Sequence, residues 1–309
     1  MKQRHLVSLK DYSREEIEEI FDLARKLKVN PRAYAEALKG KTLAMIFQKP
    51  STRTRVSFEV GMYQLGGAAL YLGADDIQLH RGETVADTAK VLSRYVDGIL
   101  ARVFSHEDLV EMTRHATVPV INGLSDLLHP TQAVSDFFTL SERKGRLDGL
   151  TLAYVGDGNN MCQALMIGAV KLGVNMRVAS PTGYGPNQLI LKSAVREAQK
   201  NRMSAPTVVA VPREAVAGAD VVYTDVWASM GQEKEKEDRA TAFKGYTVTP
   251  ELMAVAKPDA VFMHCLPAHR GEEVAAEVID GPQSIVFEQA ENRLHVQKAV
   301  LMLLMGTTS

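Results

Sequence analysis

The chain has 309 residues, 46% hydrophobic and 24% charged, with a formal net charge of −1; this predicts a soluble globular protein with room for two domains, each with its own core. A nearly neutral chain sets up no overall field for nucleic acid or an anionic membrane, so neither is expected as a partner, and any affinity for an anion has to come from a local site. The two cysteines, Cys162 and Cys265, exclude a disulfide framework and suit a reducing cytoplasm. The opening Met1-Lys2-Gln3-Arg4-His5 lacks the apolar stretch of a secretory signal, and the apolar run 299–305 is far shorter than the roughly 20 residues of a membrane span.

In chain order, Ser13 and Glu16 form a capping box, and Ile17, Ile20, Phe21, Ala24 and Leu27 make one apolar stripe, which together predict a first helix. Strands are then predicted at 42–47, 68–72, 98–103 and 118–121, alternating with helices at 52–65, 84–95 and 106–115. A long helix opens at His129-Pro130 and ends where Arg143-Lys144-Gly145 turns polar, a predicted hinge. The alternation restarts with strands at 151–155, 176–179, 208–211, 221–224 and 261–263, and a helix at 160–172. A last strand at 284–287 and a final helix at 289–305 complete the pattern. Strand–helix alternation repeated twice predicts an α/β protein of two parallel-sheet domains of similar size. The charged run 233–239 (Glu-Lys-Glu-Lys-Glu-Asp-Arg) reads as a solvated, mobile surface segment.

The first predicted strand leads into Lys49-Pro50-Ser51-Thr52-Arg53-Thr54-Arg55 and then a helix. In a parallel α/β domain, ligands collect where strand C-termini meet helix N-termini. A helix start offers free N–H groups and partial positive charge, both suited to a phosphate. Arg53 can grip two phosphate oxygens, with Ser51, Thr52 and Thr54 as further donors; the plainer reading makes Ser51 a cap and both arginines solvated. His129-Pro130-Thr131-Gln132 lies at a second such edge, where a histidine is more often a cap or a core hydrogen bonder. Beside an activated acyl phosphate, His129 and Gln132 would serve a carbonyl oxygen that gains charge and an NH2 that needs acceptors. Arg102 ends the strand at 98–103 and points to the same edge, unless it is a structural ion pair.

Gly156-Asp157-Gly158-Asn159-Asn160-Met161 follows a strand and opens a helix, as a dinucleotide loop would. The third glycine of that fingerprint is replaced by Met161, and the next strand ends in Ser180-Pro181 without a ribose-binding acid. Asn159 and Asn160 are therefore either caps or donors to a ligand carboxylate.

Two further segments, Asp225-Val226-Trp227-Ala228-Ser229-Met230-Gly231 and His264-Cys265-Leu266-Pro267-Ala268-His269-Arg270-Gly271, follow strands. Together with Ser51-Thr52-Arg53-Thr54-Arg55 and His129-Pro130-Thr131-Gln132, in that order, they make the whole chain resemble the ornithine carbamoyltransferase family. The first two motifs are shared with aspartate carbamoyltransferases, while the Ser229 loop and the Cys265 segment mark the ornithine branch. That resemblance implies transfer of the carbamoyl group of carbamoyl phosphate to the side-chain amine of L-ornithine, giving citrulline and phosphate. It places Ser51, Thr52, Arg53 and Thr54 on the phosphate, and Arg102, His129 and Gln132 on the carbamoyl end. Gln78 would reach carbamoyl phosphate in a neighbouring subunit of a homotrimer, with higher assemblies left open. Asn160, Asp225, Ser229 and Met230 would bind the amino-acid end of ornithine, Cys265 and Leu266 would orient its side-chain amine, and Arg293 would complete the carbonyl site. Arg102, His129, Cys265 and Arg293 are thus the expected catalytic set. The resemblance also implies a cis Leu266–Pro267 bond and a last helix returning to the first domain. The expected domains are 1–145 completed by 289–309 for carbamoyl phosphate, and 146–288 for ornithine.

The charges fit this reading. Ornithine carries two positive groups and one negative, so its site needs an acid, supplied by Asp225, and a carboxylate donor, supplied by Asn160. With a pKa near that of lysine, about 10.4, on the order of one amine in a thousand or fewer is neutral at pH 7, so the site has to favour the neutral form or remove a proton. Adjacent strand residues face opposite ways, which argues against His264 and Cys265 acting as a base–nucleophile pair. Direct attack through a tetrahedral intermediate is expected, with no metal, cofactor or covalent intermediate called for. Cys162 reads as a small buried hydrophobe, Trp227 as a packing anchor, and His5, His80, His106, His115 and His295 as structural or solvated. A carbamoyltransferase for another amine, such as putrescine or an N-acylated ornithine, is the nearest alternative; an acylated substrate would leave Asp225 without purpose.

Overall fold

The computed structural model describes residues 4–79, 82–228 and 235–306. Its contacts divide between Phe138 and Thr139 and again between Ala290 and Glu291, giving one unit from the N-terminal segment plus the C-terminal end and a second from the middle of the chain. Among the described residues no helix is long and apolar enough to cross a membrane.

The first unit contains α1 (Arg14–Val29), β1 (Thr42–Phe47), α2 (Thr52–Gln64), β2 (Ala68–Gly73), α3 (Val85–Leu92), β3 (Gly98–Arg102), α4 (His106–His115), β4 (Val120–Leu124) and the start of α5 (Pro130–Lys144). The capping box of α1 is present in both directions, and its stripe from Ile17 to Leu27 is buried. The four strands are all parallel, in the order β2-β1-β3-β4. Central strands β1 and β3 are buried along nearly their whole length, as a sheet covered on both faces demands. One side of this core joins Ile46, Ile99, Ala101 and Val120 to Leu109 and Met112 of α4.

The second unit runs on through β5 (Thr151–Val155), α6 (Asn160–Leu172), β6 (Asn175–Ala179), α7 (Gln188–Lys200), β7 (Thr207–Val209), α8 (Pro212–Val216) and β8 (Val221–Thr224). It continues with α9 (Lys236–Ala242), α10 (Pro250–Met253), β9 (Val261–His264), α11 (Ala276–Ile279) and the start of α12 (Val286–Met305). Its five parallel strands follow the doubly wound order β7-β6-β5-β8-β9. Phe243 anchors one face of the core, stacked on Trp227 and edge-on to Tyr184 and Tyr246.

The predicted α/β class with two parallel-sheet units is what the chain adopts, and from Glu291 onward the last helix belongs to the first unit. There Lys298 Nζ donates to Gln64 Oε1 at 2.9 Å, and a Cβ at Gly98 would lie 2.8 Å from Met305 Sδ. Two expectations are corrected, and one helix was not foreseen. No strand forms at 284–287: Ser284 makes only a single bridge to Phe262, and Val286 opens α12. A short apolar run reads alike as a buried strand or a buried helix turn, and here the helix wins. The run 233–239 is not simply a solvated surface, since its described part enters α9 and buries Arg239. Helix α7 was not predicted, although Leu191, Ala194, Val195 and Ala198 give it an apolar stripe of buried and half-buried positions.

Candidate functional site

In the first unit, Ser51 takes extended backbone and caps α2, its Oγ accepting from Thr54 N–H at 3.2 Å. Thr52 is exposed, Arg53 half-buried and Thr54 fully buried. Arg55 turns elsewhere: its guanidinium stacks 3.9 Å over Tyr71 and pairs with Glu59 at 3.3 Å. Thr54 Oγ1 accepts from Arg293 Nη2 at 3.0 Å, which ties α12 to the first turn of α2. With the Gln297 amide turned to suit its neighbours, its oxygen accepts from Arg293 Nη2 and Nε at 2.9 and 3.1 Å, so the guanidinium is held from two sides.

Arg102, 4% exposed, ends β3 where the β3–β4 register slips between Ala101 and Arg102. Such irregularities re-aim side chains at the edge of a sheet. His129, 6% exposed, sits before α5, with Thr131 Oγ1 3.4 Å from its Nδ1. Burial first, and then the guanidinium charges of Arg293, Arg102 and Arg53, hold its pKa well below the ordinary value, so the imidazole is neutral at pH 7. One turn on, Gln132 Nε2 donates to Asp136 Oδ1 at 2.8 Å, while its buried Oε1 meets no donor among the described residues. Three arginines, Thr54 and a neutral histidine therefore converge, and beside them is an amide oxygen free to accept. Gln78 lies exposed, beyond edge strand β2.

In the second unit, the Gly156–Asn160 loop is shaped by its own chain. Gly156 has φ +139°, and a Cβ on Gly158 would come within 2.2 Å of Pro186 N. The segment ending at Pro186 therefore lies where a dinucleotide would need open backbone. Asn159, not Asn160, caps α6: its Oδ1 accepts from Met161 N at 2.9 Å, and its Nδ2 donates to Asp225 Oδ2 at 2.8 Å. Asp225, 6% exposed, also accepts from Val226 N at 2.9 Å and Cys265 Sγ at 3.0 Å. All three donors are neutral, and among the described residues no cation pairs with this carboxylate. Asn160 is half-buried at the first position of α6. Ser229 and Met230 lie outside the described residues, as does His80.

Beyond β9, Leu266 has φ +58° and the Leu266–Pro267 bond is cis. Leu266 N–H donates to His264 Nδ1 at 2.8 Å, and His264 Nε2 faces Glu273 Oε1 at 3.3 Å. Buried His264 thus turns to Glu273 while half-buried Cys265 turns to Asp225, and the two do not pair. Burial raises the Glu273 pKa, but the bond from His264, the His269 N–H and its own N–H outweigh burial and hold it below the ordinary carboxylate range. Asp225, His264 and Cys265 bring one ligand-type atom each within 4.8 Å of one another, yet each already has a hydrogen-bond partner.

The sequence reading missed a buried ion pair. Arg239 Nη1 donates to Asp157 Oδ2 at 3.0 Å and to Trp227 O at 2.8 Å, and its Nε to Glu235 Oε2 at 2.9 Å. Burial raises the Asp157 carboxyl to about 6 even though Arg239 pulls it down. The one available signal was the Glu235–Arg239 spacing of four on a helix. Cys162 is fully buried, as expected, and Trp227 stacks in the core. His5 Nδ1 accepts from Val120 N at 3.0 Å, and His106 Nδ1 lies 2.8 Å from Ser125 Oγ, both structural contacts.

Two parallel-sheet units, one with a cationic cluster and one with an acidic, amide-lined cluster, both at strand ends, define a two-unit α/β enzyme of the doubly wound type. Residues 4–142 match the carbamoyl-P binding domain, and residues 148–304 the Asp/Orn binding domain, of aspartate/ornithine carbamoyltransferase. The chain belongs to that family. An ornithine carbamoyltransferase of Thermococcus kodakarensis is 57% identical over 305 residues, covering 98% of this chain and 96% of that protein. A solved ornithine carbamoyltransferase from Pyrococcus furiosus superposes with a TM-score of 0.95 at 56% identity, covering 99% of this chain and 98% of that one. One from Thermus thermophilus gives 0.89 at 45%, covering 99% and 100%.

Proposed function

We propose that this chain transfers the carbamoyl group of carbamoyl phosphate to the side-chain amine of L-ornithine, releasing citrulline and phosphate. The observation that carries the reading is the neutral His129 imidazole set among Arg53, Arg102 and Arg293 beside the opening turn of α2. In this reading Ser51, Thr52, Arg53 and Thr54 hold the phosphate. Arg102, His129 and Arg293 stabilise the oxygen that becomes negative when the carbonyl is attacked. A neutral imidazole serves as a fixed donor there without giving up its proton. The Gln132 Oε1, which meets no donor among the described residues, suits the carbamoyl NH2.

The acceptor assignment is supported by Asp225, a buried carboxylate that, among the described residues, is held by neutral donors only. A buried charge calls for a partner of opposite sign, and the α-ammonium of ornithine is one. Asn160, Ser229 and Met230 would complete the amino-acid end. Cys265, whose thiol donates to Asp225 Oδ1, and Leu266 beside it would orient the incoming amine. The neutral amine attacks the carbonyl carbon directly, a tetrahedral intermediate forms, and the C–O bond to phosphate breaks, the departing phosphate taking up the proton that the amine nitrogen sheds. Residues 1–145 with 289–309 would bind carbamoyl phosphate and 146–288 ornithine. The exposure of Gln78 is compatible with a homotrimer in which it reaches a neighbouring site, a state that sedimentation would test, and two free thiols suit a cytoplasmic enzyme.

The test is citrulline formation from both substrates, run beside Arg53→Ala, with putrescine and N-acetylornithine as rival acceptors. Arg53→Ala is expected to lose roughly 10²-fold or more in kcat/KM for want of its charge-assisted bonds, while remaining folded. Unchanged turnover would remove the phosphate assignment, and faster reaction with putrescine or N-acetylornithine would remove the ornithine assignment.

A further inference from the structure

Just past the Cys265 segment, the chain makes a turn in which Glu272 N–H donates to His269 O at 3.0 Å. The turn gathers three side chains: the His269 imidazole and the Glu272 and Glu273 carboxylates each offer one ligand atom, all within 4.8 Å of one another. Glu273 is fully buried. Its Oε1 is engaged by His269 N at 2.6 Å and faces His264 Nε2, whereas its Oε2 accepts no hydrogen bond among the described residues. A buried carboxylate oxygen that accepts no hydrogen bond is costly to keep, and its polar neighbour, the His269 imidazole nitrogen, stands at 3.5 Å, beyond normal bonding distance.

We propose that His269, Glu272 and Glu273 form a binding site for a first-row divalent cation of the zinc class. His269 Nδ1 lies 3.5 Å from Glu273 Oε2. Two ligands bonded at about 2.0–2.2 Å in tetrahedral geometry sit roughly 3.4 Å apart, so an ion fits between these atoms with little movement. Glu272, half-exposed, already places a carboxylate oxygen within 4.8 Å of the other two ligand atoms and supplies the third ligand, and water would fill the open position. A neutral imidazole and two carboxylates balance a 2+ charge. The neighbouring cation is no competitor, because Arg270 is drawn off by a two-bond pair with Asp280 at 2.8 and 2.7 Å. An imidazole in the ligand set favours zinc or cobalt over magnesium or calcium.

The Asp225, His264 and Cys265 trio is a rival location for the same ion, so the test is built on the full-length Cys265→Ser chain. Zinc is titrated into it by calorimetry and Co(II) by absorption, with and without His269→Ala or Glu272→Gln. The expected result is one equivalent of zinc per Cys265→Ser chain and Co(II) d–d bands without a thiolate charge-transfer band. Affinity should then fall at least tenfold on adding His269→Ala, and less on adding Glu272→Gln. The His269 side chain is 49% exposed, so its removal leaves the fold intact, which an unchanged Tm would verify. Binding that vanishes with Cys265→Ser alone, or that survives undiminished in either added variant, overturns the proposal.

Discussion

The loops that open α2 and α6 use one backbone device for opposite charges. Each follows a parallel strand, and each is capped by a polar residue, Ser51 in one and Asn159 in the other. Around the first, the side chains are Arg53, Arg102 and Arg293 with an uncharged His129; around the second they are Asp225, Asp157, two asparagines and a thiol. The architecture locates ligands at strand ends, but the sign of the charge it meets there is left to individual side chains. A cationic cluster suits a phosphate, and Asp225, which has no cationic partner among the described residues, suits an ammonium group.

The largest expected effect would break the acidic side. Arg239→Ala leaves Asp157 buried without its partner and should cost about 3–5 kcal/mol, read as a lower Tm and urea midpoint; adding Asp157→Asn should recover part of the loss. An unchanged Tm would mean that the pair contributes nothing. Next, Asp225→Asn should raise the KM for ornithine about 100-fold, near 2.7 kcal/mol, while the KM for carbamoyl phosphate stays within about threefold. An equal rise in both would erase the division of charge.

On the cationic side, Thr54→Val removes the acceptor that holds Arg293. Losing one hydrogen bond to a charged group is worth about 1.5–3 kcal/mol, so kcat should fall on the order of tenfold with the fold retained. The smallest effect concerns pH. His129 has a pKa well below 6.5 in the folded chain, so kcat/KM should show no inflection near 6.5 from this group. The unfolded chain does take up a proton there, so the stability His129 contributes is present above 6.5 and falls as pH drops below it. Urea unfolding at pH 7.5 and 5 should show that loss shrinking in His129→Asn, and an activity step at 6.5 abolished by the same variant would overturn the neutral assignment.

Much of this was legible in sequence because the signals are local. A capping box, strand runs of apolar residues and the caps that open α2 and α6 are fixed by neighbours a few residues apart, and they appear at α1, β1, β3, β5, α2 and α6. The positions most open to misreading were those where distant groups decide. Asn159 and Asn160 are equal as sequence, and which one bonds Asp225 depends on a residue 66 positions away in sequence from Asn159. Arg239 belongs to a run that reads as solvated until Asp157, 82 positions away, draws it inside.

The amino-acid order by itself determined the α/β class, the doubling of the sheet and the strand-to-helix loops that open α2 and α6, because periodicity and helix-start chemistry act over a few residues. Only the tertiary structure decided which charges are buried, which are paired, and which histidine is neutral. Those properties come from desolvation and Coulomb terms summed over groups that the chain brings together from far apart, as Arg293 is brought to Thr54.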